Sequence, residues 1–116
     1  MKVYGISSCG TVKKAIAWLR ARGVAFEQID LRNAPPSEAD VQRWVAAFGA
    51  RAMRNTSGGA YRALPAEKKD WDDERWASAF SADPMLIKRP IIERDGKPLK
   101  VGFRGDDEQL TAELLS

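Results

Sequence analysis

Tyr4-Gly5-Ile6-Ser7-Ser8-Cys9-Gly10-Thr11-Val12-Lys13-Lys14 decides how the rest of the chain is read. Val3, Tyr4 and Ile6 suit a short buried strand over 2–6, and residues 7–10 carry the small polar residues of a turn. Over 11–22 the apolar residues Val12, Ala15, Ile16 and Leu19 then recur at helical spacing, with Trp18 widening their face and Lys13, Lys14, Arg20 and Arg22 on the other side. Gly23 is a stop signal for that helix. Cys9 therefore stands where a strand gives way, through a turn, to a helix N-terminus. Unpaired N–H groups and the helix dipole there favour a thiolate.

Outward from this stretch, Phe26, Ile29 and Leu31 mark a second strand over 26–31, so the first thirty residues read as a βαβ unit with two parallel strands. Asn33-Ala34-Pro35-Pro36 breaks the chain. Residues 37–40 form a capping box ahead of a helix carrying Val41, Trp44, Val45 and Phe48, which Gly49 ends. The segment 51–66 is irregular, with a Gly-rich turn at 55–59 between Arg54 and Arg62 and a short helical turn near Pro65. A helix is expected over 68–82, with Asp72 and Asp73 in its first turn and Trp76, Ala77 and Phe80 on one face. Two apolar runs around Asp95-Gly96 predict a β-hairpin over 86–103, and a last helix over 106–115 turns Leu110 and Leu114 inward. The expected fold is α/β: a single domain spanning 1–116, in which a mixed four-stranded sheet carries a helical insert, at about 37–85, between the βαβ unit and the hairpin. That is a thioredoxin-like order of elements.

Composition narrows the chemistry. With 116 residues, 44% hydrophobic and 30% charged, the chain is long enough for one core without disulfide or metal staples. No apolar run approaches the roughly 20 residues of a membrane helix, and the chain opens directly into a strand without an apolar leader, so a cytoplasmic protein with no membrane partner is expected. There is one cysteine and no histidine. This excludes an internal disulfide, a cysteine zinc cage and Cys-His or Ser-His catalysis, and no metal site is expected. The net charge of +3 is compatible with small anionic ligands; without a helix-turn-helix pattern or a long basic stripe, DNA binding is not expected.

Two readings of Cys9 stand at this point: a small core thiol, or a nucleophile. The polar Ser7-Ser8-Cys9-Gly10 turn is a poor place to bury a core thiol, and the hydroxyls of Ser7, Ser8 and Thr11 are candidate donors to a thiolate. Position 12 is Val12, so the Cys-x-x-Cys pair of a dithiol centre is absent. A reactive Cys9 would have to form a mixed disulfide or adduct that an external thiol resolves, glutathione or a glutaredoxin-type partner being the expected donor. In a thioredoxin-like sheet the strand entering the hairpin approaches the cysteine turn, and a cis-proline commonly sits there. Pro90 is the candidate, and Arg89 would then stand beside Cys9. Arg54 and Arg104, each in an irregular polar stretch, are either surface charge or part of an anion site.

Taken together, the segment 4–14, Arg54-Asn55-Thr56, Ile87-Lys88-Arg89-Pro90-Ile91-Ile92 and Gly102-Phe103-Arg104 resemble the ArsC family, which contains arsenate reductases and Spx-type regulators. The Trp-rich middle and Lys13-Lys14 look most like its YffB subgroup, described as glutathione-dependent thiol reductases or left unassigned. The resemblance implies a thioredoxin-like fold with Cys9 as nucleophile and the Ser8, Gly10 and Thr11 turn as its support. It also implies that Arg54 and Arg89 bind an oxyanion, with Arg104 near the place of a third arginine. The implied activity is that of a monothiol, glutathione-dependent reductase acting on a small anionic substrate, arsenate included, with glutathione as co-substrate and no bound cofactor. The alternative is a Spx-type regulator whose partner is RNA polymerase.

Overall fold

A computed structural model describes residues 1–105 and 107–115, the last by its backbone alone. The chain forms two compact units, one made of Met1–Asp30 with Arg89–Ser116 and the other of Leu31–Lys88.

The first unit holds the sheet. Strand β1 (Lys2–Gly5), helix α1 (Gly10–Ala21) and strand β2 (Glu27–Asp30) form the βαβ unit, and β1 pairs parallel with β2 from Lys2 opposite Glu27 to Gly5 opposite Asp30. Strands β3 (Ile91–Arg94) and β4 (Lys97–Val101) form the hairpin, and β3 adds antiparallel to the free edge of β1, giving the order β2-β1-β3-β4. The hairpin turn is the one its sequence calls for: Asp95 and Gly96 both adopt positive φ, 52° and 78°, as a two-residue turn matched to strand twist needs. β3 is shorter than the apolar run 86–94 suggests. Pro90 has no N–H to donate to a ladder, and residues 84–86 wind into a 3-10 turn, so pairing starts at Ile91. Between Ile92 and Glu93 the register against β4 slips by one residue, leaving Leu99 as the extra residue of a bulge.

One face of this sheet carries the core of the unit. Val3 and Ile92, paired across β1 and β3, and Leu99 pack with Val12, Ile16, Trp18 and Leu19 of α1 and with Leu110 of the last helix. That helix runs over Glu108–Leu115 rather than from 106: Asp107 sits before it and accepts the Leu110 N–H at 2.9 Å, a cap that fixes where the helix starts, while Asp106 lies outside the described residues. Leu114 packs against the same cluster. Strand β1 and helix α1 approach so closely that a Cβ at Gly5 would lie 2.6 Å from Val12 Cγ2 and 3.1 Å from its Cγ1. Val12 is fully buried and has little room to yield. Gly5→Ala is therefore expected to cost about 1–3 kcal/mol, through overpacking at the joint that carries the cysteine turn, measurable as a lowered urea midpoint at unchanged slope.

The second unit is helical. Helix α2 (Glu38–Phe48) begins with the capping box read from sequence: Ser37 Oγ accepts the Asp40 N–H at 3.0 Å and Asp40 Oδ2 accepts the Ser37 N–H at 3.1 Å. The irregular stretch contains two single-turn helices, α3 (Ala50–Met53) and α4 (Gly59–Arg62). The helix expected over 68–82 is split. Residues Ala66–Asp70 form a 3-10 turn after Pro65, Trp71 is extended, and Asp72 accepts the Arg75 N–H at 2.8 Å, so that α5 runs only over Asp73–Ala82. An aspartate that hydrogen-bonds forward to the backbone ends one segment and caps the next. Trp76, Ala79 and Phe80 are the buried face of α5, Ala77 lying at its margin. In the first unit, a strand-helix-strand unit followed by a hairpin and a closing helix, on one mixed four-stranded sheet, is the thioredoxin-like arrangement.

Candidate active site at the Cys9 turn

Cys9 is the N-cap residue of α1. Its backbone is extended (φ −76°, ψ 124°), its N–H closes the turn onto the Ile6 carbonyl at 2.9 Å, and its own carbonyl accepts the Lys13 N–H at 3.0 Å, the first bond of the helix. The side chain is half-buried and its thiol is free. Partial burial pushes the thiol pKa up, but the backbone N–H groups of Val12 and Thr11 and the Arg89 guanidinium, by charge and by a hydrogen bond, outweigh it and hold the thiol below its ordinary value. The side chain makes no capping hydrogen bond, and the two N–H groups favour the anionic sulfur through their partial positive charge. That arrangement gains most when the sulfur becomes anionic.

Which groups do this differs from one expectation. Hydroxyl donors from Ser7, Ser8 and Thr11 are not among the groups that lower the thiol; all three side chains are exposed, and Thr11 contributes through its main chain. Gly10, exposed, is the first residue of α1. The turn thus supports the sulfur by the direction of its backbone N–H groups, which only chain geometry reveals. The Arg89-Pro90 peptide is cis. Pro90 is buried and its carbonyl accepts the Gly102 N–H at 2.8 Å, tying the segment before β3 to the end of β4. Arg89, half-buried, delivers its guanidinium to the Cys9 sulfur.

Arg104 is exposed just beyond β4 in the same unit. Its backbone N–H donates to Asp107 Oδ2 at 3.3 Å, and it is not among the groups acting on the thiol. Arg54 belongs to the helical unit, where its position is tightly defined. It follows α3 in an isolated antiparallel bridge with Ile87, flanked by the Asn55 N–H on the Leu86 carbonyl (2.9 Å) and the Lys88 N–H on the Met53 carbonyl (2.6 Å). Its guanidinium carbon lies 4.4 Å from the centre of the Trp76 ring. The sequence marks Trp76 only as a core residue of its helix, because no local pattern links positions twenty-two apart. Among the described residues no three His, Cys, Asp or Glu side chains gather as a metal site requires.

The ArsC family model matches residues 4–111. The uncharacterised protein YusI of Bacillus subtilis is 33% identical over 107 residues, covering 89% of this chain and 90% of that protein. Among solved structures, the YFFB protein superposes with a TM-score of 0.85 at 33% identity, covering 99% of this chain and 98% of that one. A possible arsenate reductase of Streptococcus mutans superposes with a TM-score of 0.82 at 30% identity, covering 95% and 96%. Relatives at lower identity bear two kinds of name, arsenate reductase and global transcriptional regulator Spx.

Proposed function

The chain belongs to the ArsC family, and from that membership we propose a monothiol reductase that works with glutathione. The observation that carries this reading is the single cysteine at the start of α1, held below its ordinary pKa beside Arg89. The names of relatives called arsenate reductase support thiol oxidoreductase chemistry in general. The absence of a second cysteine supports the monothiol form.

The proposed cycle balances with one thiol. The Cys9 thiolate attacks the glutathione sulfur of a mixed disulfide R–S–S–G. A new S–S bond forms between Cys9 and the glutathione sulfur as the S–S bond of R–S–S–G breaks, and RS⁻ leaves and takes a proton. A second glutathione thiolate then attacks Cys9–S–S–G, restoring the Cys9 thiolate and releasing glutathione disulfide. The net reaction is R–S–S–G + GSH → RSH + GSSG, with one glutathione thiol consumed per turnover, and no bound cofactor takes part. Arg89 steadies the thiolate as attacking and leaving group. Arg54, in the Arg-Asn segment characteristic of the family, is proposed as an anion-binding arginine for a glutathione carboxylate or for a substrate oxyanion, arsenate among them; Arg104 is the third candidate. The test is reaction with glutathione disulfide followed by intact mass. A single glutathione adduct on Cys9, removed by reduced glutathione, is expected; a protein that stays unmodified in excess glutathione disulfide at neutral pH overturns the reading.

The Spx relatives support a second reading, a regulator docking on RNA polymerase. Retention on immobilised polymerase subunits at micromolar concentration supports it, and no retention removes it.

A further inference from the structure

Arg54 is held by rings rather than by an acid. Its guanidinium stacks on Trp76 at 4.4 Å, its Nε is buried without a hydrogen-bond partner, and among the described residues no carboxylate pairs with it. Trp76 is fully buried and is itself immobilised on several sides. Tyr61 stacks on it with ring centres 6.1 Å apart and planes within 7°, Trp71 meets it edge-on at 5.0 Å, and Phe80 lies against it at 5.6 Å. The indole Nε1 is likewise without a partner, so ring packing alone fixes this side chain.

An aromatic face attracts a guanidinium through its quadrupole and sets the plane of the group. It does so without neutralising the charge. A carboxylate in the same place would hold the arginine as firmly, but would occupy the paired N–H donors that an incoming anion needs. The backbone beneath Arg54, clamped by Asn55 on Leu86 and Lys88 on Met53, removes the other source of play. A cation fixed in advance loses little freedom when it binds, which is where preorganised sites gain affinity.

We propose that Trp76 is a positioning residue for Arg54: its ring holds the guanidinium in place, with its charge intact, for the carboxylate or oxyanion of the substrate. The proposal rests on the reading of Arg54 as an anion-binding arginine.

The experiment follows the reaction of Cys9 with two disulfides, glutathione disulfide, which carries carboxylates, and dithiodipyridine, which does not. Trp76→Leu is expected to raise the half-saturating concentration of glutathione disulfide about five- to tenfold, between the scales of an exposed and a fully desolvated cation–π contact, as the half-buried Arg54 calls for. The limiting rate and the reaction with dithiodipyridine should change far less, and Trp76→Phe should recover most of the loss. Combined with Arg54→Ala, Trp76→Leu should add nothing to the effect of Arg54→Ala alone. Equal slowing with both disulfides, or additive losses in the double variant, would mean that Trp76 serves stability only, and overturns the proposal. If Arg54→Ala by itself leaves the half-saturating concentration unchanged, the reading of Arg54 has failed and the proposal falls with it. Should Trp76→Leu not fold, Arg54→Lys reads the same contact from the other side, since lysine keeps the charge without the planar stack. It must raise the half-saturating concentration of glutathione disulfide selectively; parity with the unaltered protein overturns the proposal.

Discussion

Cys9→Ser is expected to abolish both the glutathione adduct and turnover of glutathione mixed disulfides, by at least about a thousandfold, the scale on which enzymes lose rate when their nucleophile is removed. The loss should be close to complete for two reasons written in the sequence. There is no second cysteine to take over, and no histidine to activate the serine hydroxyl as a base. The backbone N–H groups of Val12 and Thr11 and the Arg89 cation favour an anion, but a hydroxyl at ordinary pH has no anion to offer. The substitution exchanges sulfur for oxygen at a half-buried turn position, so the thermal midpoint should move little. Intact mass after glutathione disulfide treatment and a coupled turnover assay measure the loss, and a thermal melt confirms the fold. Retained turnover in Cys9→Ser would place the chemistry elsewhere.

Arg89→Ala is the second large effect. Burial pushes the Cys9 thiol up, and the N–H groups of Val12 and Thr11 act against it together with Arg89. Removing the guanidinium deletes both its charge and its hydrogen bond, so the thiol pKa should rise toward its ordinary value. The rate consequence depends on pH. Below the ordinary thiol value, about 8.5, the variant holds less thiolate than the unaltered protein and should react more slowly with iodoacetamide; above that value both are ionised and the rates should converge. Stability follows the same sign. A thiol whose pKa is depressed in the folded state contributes stability that is fully present above its unfolded value and is lost as pH falls through the folded value. The contribution is expected to shrink in Arg89→Ala, so the difference in unfolding free energy between the two proteins should grow from mildly acidic to alkaline pH. A variant whose alkylation profile overlies that of the unaltered protein would remove Arg89 from the site.

Much of this was legible in the residues. The i, i+3, i+4, i+7 pattern of Val12, Ala15, Ile16 and Leu19 and the Asp95-Gly96 pair between apolar runs placed α1 and the hairpin within a few residues, because hydrophobic periodicity and two-residue turns are local rules. What escaped was set by non-local or directional facts. The length of β3 depends on Pro90 and on the 3-10 turn before it, both of which override an apolar run that reads as strand. The split of the segment 66–82 turns on whether Asp72 points outward or back to the Arg75 N–H, a choice a helical pattern does not record. At the site, residue types drew attention to the hydroxyls of Ser7, Ser8 and Thr11, whereas the groups that act on the sulfur are two main-chain N–H groups that every residue but proline possesses. The stacking of Arg54 on Trp76 joins residues far apart in sequence, and only the folded helical unit brings them together.

The proposed chemistry turns on the ionisation of one sulfur. Titration of the Cys9 thiolate by its ultraviolet absorbance in the folded protein, with Cys9→Ser as the blank, tests it most directly. The expected result is an apparent pKa clearly below the ordinary value of about 8.5, rising in Arg89→Ala and returning to the ordinary value in denaturant. A folded-state value at or above about 8.5 would mean that burial outweighs the N–H groups and Arg89, and Cys9 would then be a small packing residue rather than a nucleophile.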